Sequence, residues 1–82
     1  MTRLGKLINA IEDYASNYMY YDEEKEESVV YGTEQDMYNE IMQNDELHLL
    51  GEKVVRTWIG MWYNDWNQYE ICRIACMKSK LL

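Results

Sequence analysis

The sequence predicts an α+β fold: a small antiparallel sheet of two hairpins packed with two helices, in the order α-β-β-α-β-β. Three observations carry this expectation. Leu4, Leu7, Ile8 and Ile11 recur at helical spacing near the start of the chain. Two aromatic or β-branched runs flank the charged segment Asp22–Glu27. The stretch from Val54 to Met77 is again rich in Val, Ile, Tyr and Trp. The alternative is a mostly helical chain with one hairpin, because Val54, Val55, Trp58, Ile59, Trp62 and Trp66 also share one helical face.

The first helix is expected from about Thr2, a good N-cap, to Ala15. Its first turn is basic (Arg3, Lys6) and its last turn acidic (Glu12, Asp13), the reverse of what the helix dipole favours. Asn17–Tyr21 and Ser28–Tyr31 then read as paired strands, with Tyr18 and Tyr20 on one face and Met19 and Tyr21 on the other. No Asn-Gly or Asp-Gly joins them, so a longer, mobile acidic loop is expected. Thr33, followed by Glu34 and Asp36, starts a second helix running to about Gln43, with Met37, Tyr38, Ile41 and Met42 at helical spacing. Leu47, Leu49 and Leu50 are expected to re-enter the core. The second hairpin is placed at Val54–Trp62 and Tyr69–Cys76, with Asn64-Asp65 in its connection.

One domain spans residues 1–82, near the lower size limit for a single core. Its apolar fraction of 48% is too high for a disordered acidic tail. There is no Phe and no Pro, but there are eight Tyr and three Trp, residues that bury an apolar body while keeping a polar tip. No stretch of eighteen apolar residues occurs, and no signal peptide is read at the N-terminus, so a cytoplasmic chain is expected. On strands, Cys72 and Cys76 would lie roughly 13 Å apart, too far for a disulfide. Free thiols are the expectation.

Charge is sorted along the chain. Thirteen of the 15 acidic residues fall between Glu12 and Glu52, where Lys25 is the only Lys or Arg. The net charge is −7. Such a field attracts basic surfaces and repels nucleic acid and anionic membrane. The candidate partner-binding residues are Asp22, Glu23, Glu24, Glu26 and Glu27, with Glu34, Asp36, Glu40, Asp45 and Glu46 extending them into a band. Other chemistries find little support. The acids do not meet EF-hand spacing, since the sixth position counted from Asp22 is Glu27 and not Gly. The single His, His48, and two Cys form no zinc pattern. No nucleophile elbow or phosphate-cradling glycine loop is present. The expectation is a non-catalytic protein with no cofactor and no metal.

The Leu/Ile helix, the acidic hairpin from Asp22 to Glu27 and the Tyr/Trp-rich remainder together resemble the small acidic accessory proteins of bacteriophages and other mobile elements. In character the chain is similar to anti-CRISPR proteins that inhibit the nuclease Cas9 by mimicking DNA. That resemblance implies a basic, nucleic-acid-binding partner in the bacterial host cytoplasm, with the acids seated in an arginine-lined cleft that reads the PAM duplex. A second expectation is an acidic adaptor or homodimer whose apolar contact uses Trp58, Trp62, Tyr63 and Trp66.

Overall fold

Four helices and one hairpin build the chain in the computed structural model, which describes residues 1–81. In order they are α1 (Arg3–Asn17), β1 (Met19–Asp22), β2 (Glu27–Val30), α2 (Glu34–Met42), a 3₁₀ turn (Leu47–Leu50), α3 (Glu52–Asn64) and α4 (Trp66–Lys78). Among the described residues, no helix is long and apolar enough to cross a membrane.

The expected helix starts are built as the sequence dictates. Thr2 accepts the Gly5 amide at 3.1 Å and so satisfies one orphan donor of α1. Thr33 and Asp36 form a reciprocal capping box at α2, each side chain accepting the other's backbone amide at 3.1 Å.

The second hairpin does not form, and this corrects the α-β-β-α-β-β expectation: residues placed in its strands belong to α3 and α4, so the fold is mostly helical with one hairpin. Strand-like composition gave way to helical periodicity, because β propensity mainly measures fit to a sheet that must exist elsewhere. Among the described residues the only sheet is β1–β2, and it offers no covered face for two more strands. Coiled as a helix, the segment turns Val55, Trp58 and Ile59 into the core together. Asp65 caps α4 by accepting the Gln68 amide; it ends one helix and begins another, and is not part of a hairpin connection. Leu49 is a second correction. It points outward while Leu47 is buried, since a single 3₁₀ turn cannot aim both at one side.

The core lies where the helices meet. Leu7, Ile8, Ile11 and Tyr14 of α1 pack with Met37 and Ile41 of α2, Leu47, the α3 trio, and Tyr69 of α4. Tyr69 is fully buried, stacked on Trp66 with centroids 5.3 Å apart and edge-on to Trp58 at 5.9 Å. Burial pushes its hydroxyl pKa well up, reinforced by Glu12; burial also pushes Tyr63 up to about 12. A tyrosine that holds its proton longer when folded stabilises the fold fully below its ordinary value of 10.0 and loses that contribution as pH rises through the raised value. Melting temperature is therefore expected to hold between pH 7 and 9 and to fall steeply between pH 10 and about 12, read by circular dichroism; an unchanged melt at pH 11 would contradict the packing around Tyr63 and Tyr69.

Candidate functional site

The hairpin is a short arm that packs mainly on itself. Met19, Tyr20, Tyr21, Asp22 pair antiparallel with Val30, Val29, Ser28, Glu27, and a four-residue turn, Glu23 to Glu26, joins them. The turn is thus tighter than the mobile loop expected. The Asp22 carboxylate accepts the amides of Glu24 and Lys25, and Glu26 adopts a left-handed φ of 53°. Asp22 and Glu27 stand directly opposite each other, an arrangement in which like charges destabilise the ladder by about 0.2–1 kcal/mol. With Glu23, Glu24 and Glu26 they place five carboxylates within a few residues. None of the five is in a salt bridge among the described residues. Two-stranded hairpins are marginal by themselves, so retaining this repulsion at the tip runs against stability.

A tyrosine ladder ties the arm to the helices. The Tyr31 amide donates to the Tyr18 carbonyl at 3.0 Å and extends the ladder by one pair. Alternation then puts Tyr18, Tyr20 and Asp22 on the same face as Tyr31, Val29 and Glu27. Tyr14 stacks on Tyr18 at 4.4 Å, and Tyr31 lies against both Tyr18 at 5.5 Å and Tyr20 at 6.1 Å. At the base of this ladder a cleft of about 520 Å³ opens between α1, Tyr31 and α2, with Asp36 and Glu40 on the α2 wall. Gly32 also borders it, and a Cβ there would overlap the Tyr14 hydroxyl, so glycine is what lets the ring sit in this position.

The remaining candidate acids divide into two groups. From the cleft, two smaller hollows continue along α1: the first shares Tyr14 and Glu40 with it and adds Asp13, and the second, against the turn after α2, shares Asp13 with the first and adds Glu46. Asp36, Glu40, Asp13 and Glu46 therefore follow one groove. Lys6 closes its far end through a 2.7 Å salt bridge to Glu46 that holds this carboxyl below the usual range. Asp36 is held low as well, first by the Thr33 backbone amide and then by its hydroxyl. Glu34 is not part of the groove: it accepts from Asn64 of α3 at 2.7 Å. Asp45 is exposed in the turn after α2.

His48 is exposed, its Nδ1 lying 3.0 Å from the Asn44 carbonyl. Among the described residues, no three His, Cys, Asp or Glu side chains gather as a metal site. Cys72 and Cys76 are free and half-buried along one side of α4, neighbours on a helix where strand geometry would have kept them apart. Comparison with protein-family models, curated proteins and solved structures gives no match to this chain.

The acids at the tip and on the groove were readable from sequence, whereas Asp13, Tyr14, Tyr18 and Tyr31 were missed as site residues. Asp13 stood out in the sequence as an acid in the expected last turn of the first helix, but α1 runs on to Asn17, so Asp13 lies just short of its last turn. For α2, Asp36, Asn39, Glu40 and Gln43 recur at i, i+3, i+4 and i+7, a polar stripe beside the buried Met37 and Ile41.

Proposed function

We propose that this chain is a non-catalytic acidic ligand that occupies the nucleic-acid-binding surface of a basic protein and blocks it by standing in for DNA. The observation that carries the reading is the hairpin tip, with five carboxylates, no salt bridge to any of them among the described residues, and Asp22 set opposite Glu27. Duplex DNA presents one negative charge per about 1.7 Å of axis. Clustered carboxylates offer arginine the same charge-assisted, forked hydrogen bonds that phosphates do. Asp13, Asp36 and Glu40 in the α1–α2 groove extend the anionic surface beyond the arm.

Cas9 is the partner to test first, since its PAM reader is a pair of arginines and the sequence resembles its inhibitors in character. The setting would then be the bacterial cytoplasm. In a competition assay the protein should displace a labelled PAM-containing duplex from the Cas9–guide complex at low salt and lose that ability as salt rises. A parallel pull-down from bacterial lysate covers other basic nucleic-acid enzymes. Failure in both, at salt concentrations low enough for duplex to bind, would defeat the reading.

A second reading, self-association, is favoured by α4. Of the four residues expected from sequence, Trp58 is a core residue, Trp62 and Tyr63 are half-buried, and Trp66 alone is open, at 52% exposed. The outer side of α4 instead exposes Ile71 (61%), Ile74 (39%) and Met77 (51%). If two copies meet there, Ile71→Asp should convert a dimer to a monomer in size-exclusion chromatography with light scattering. A monomeric wild type at high concentration would remove this reading.

A further inference from the structure

We propose that the cleft between Tyr14, Tyr18, Tyr31 and α2 is a guanidinium-binding site that receives an exposed arginine side chain of the basic partner. The inference rests on the acidic-ligand reading above and adds a specific anchoring chemistry to it. Aromatic faces and carboxylates are what a guanidinium requires: the ring quadrupole attracts the flat cation, and the carboxylates accept its N–H groups. Tyr18 and Tyr31 supply the rings, and Asp36 and Glu40 the carboxylates.

Two further observations point to a cation. Tyr14 is nine-tenths buried and borders the cleft, yet its hydroxyl has no hydrogen-bond partner among the described residues. It is not sealed away from solvent, so an incoming N–H donor can reach it. The charges of Asp36 and Glu40 both act on this hydroxyl and, after burial, help to push its pKa up. The chain also contains its own precedent on the neighbouring side of α2, where Gln35 accepts from Arg56 and donates to Asn39 at 2.8 Å. Arg56 lies 3.8 Å over the Tyr38 ring while donating to Glu52 at 2.9 Å and Gln35 at 3.3 Å. The cleft offers the same set of groups, ring, carboxylate and side-chain amide (Asn39, Gln43), but no Lys or Arg of this chain lines it. The cleft thus supplies the receiving groups without a cation of its own.

Arginine is favoured over lysine. A guanidinium is planar and weakly hydrated and can stack and fork at once, whereas an ammonium is a compact, strongly hydrated charge. The tip lies about 13 Å from the base of the arm, more than the roughly 8 Å Debye length at physiological salt. Tip and cleft therefore act as separable sites.

The test is an amide chemical-shift titration of the ¹⁵N-labelled full chain with hexa-arginine amide and hexa-lysine amide peptides at physiological salt. The expected result is movement of the Tyr18, Tyr31 and Gly32 signals, with arginine binding roughly three- to tenfold tighter than lysine. Glu40→Gln should erase that preference while leaving the rest of the spectrum in place. The variant Glu23→Gln/Glu24→Gln/Glu26→Gln should weaken both peptides equally and keep the preference. Equal affinities, or shifts confined to the tip, would overturn the cleft proposal while leaving the acidic-ligand reading intact. An arginine-selective cleft in a protein that displaces no duplex would have the opposite meaning: the cleft stands and the inhibitory role fails. Binding of N-acetyl-arginine amide as tight as that of the peptide would overturn the assignment to a partner side chain and mark a small-molecule site.

Discussion

Tyr69→Ala is expected to destabilise the chain by about 3–5 kcal/mol, a large share of its whole stability. The side chain is fully buried, and α4 sends no other residue completely into the core. Truncating a buried aromatic costs about 3–5 kcal/mol through lost transfer energy and the cavity left behind. The whole stability of a domain this size is only about 4–12 kcal/mol. Trp58 would lose its ring partner and Trp66 would keep only Trp62, and α4 would then be held mainly by the half-buried Cys72 and Cys76. Tyr69→Phe separates packing from the hydroxyl. The hydroxyl's contact to Glu12 is a long 3.4 Å, so this change should cost no more than about 1 kcal/mol. Thermal melts followed by circular dichroism distinguish the two, and a cooperative melt for Tyr69→Ala within a few degrees of wild type would contradict the core described.

At the hairpin, stability and binding are expected to move in opposite directions. Glu27→Lys places a cation directly across from Asp22 and converts repulsion into an ion pair, a gain of a few tenths to about 1 kcal/mol in the ladder. The same substitution alters the anionic tip by two charge units and should weaken capture of a basic partner. Glu23→Gln/Glu24→Gln/Glu26→Gln goes further. Three exposed carboxylates, each contributing up to about 1 kcal/mol to a charged contact, should together weaken low-salt affinity at least about tenfold. The dependence of affinity on salt should flatten in parallel, because fewer charges remain to be screened. Because these side chains are all exposed, the melt should be unchanged or improved. Loss of binding together with loss of folding would mean that the tip carboxylates serve the hairpin itself.

Much of the N-terminal half was legible in the sequence because local chemistry decides it. Thr2 and Thr33 are strong N-caps, Leu4 to Ile11 keep one helical face, and Asp22–Glu27 separates two strand-like runs. The C-terminal half was less legible because two local signals disagreed there. Periodicity from Val54 to Trp66 was helical while the residue types suited strands, and Gly60 looked like an interruption. In the structure Gly60 sits within α3, where a Cβ would approach only the Glu34 carboxylate of α2, at 4.0 Å. A glycine facing a neighbouring helix is tolerated at a cost of about 1 kcal/mol relative to alanine. Asp65 shows the same ambiguity: an acid after Asn64 can continue a turn or cap a helix, and only the Gln68 amide decides between them. The cleft was hidden for another reason. Its rings come from Tyr14 and Tyr18 on one side and Tyr31 on the other, and nothing local announces that α1 and the hairpin will bring them together.

The geometry of α1 has a consequence for motion in solution. Its 15 residues span about 22 Å, from Arg3 at one end to Asp13 and the hairpin at the other. Thr2 hydrogen-bonds to the Leu81 carbonyl, which draws Lys78 and Lys80 toward the Arg3 end. The cluster of Arg3, Lys78 and Lys80 and the acidic arm are thus set apart by a rigid rod, and such a body rotates in an external field before it touches anything. Near a cationic wall it would arrive arm first, its amino end trailing, with fewer fruitless collisions than an even coat of the same charges would allow.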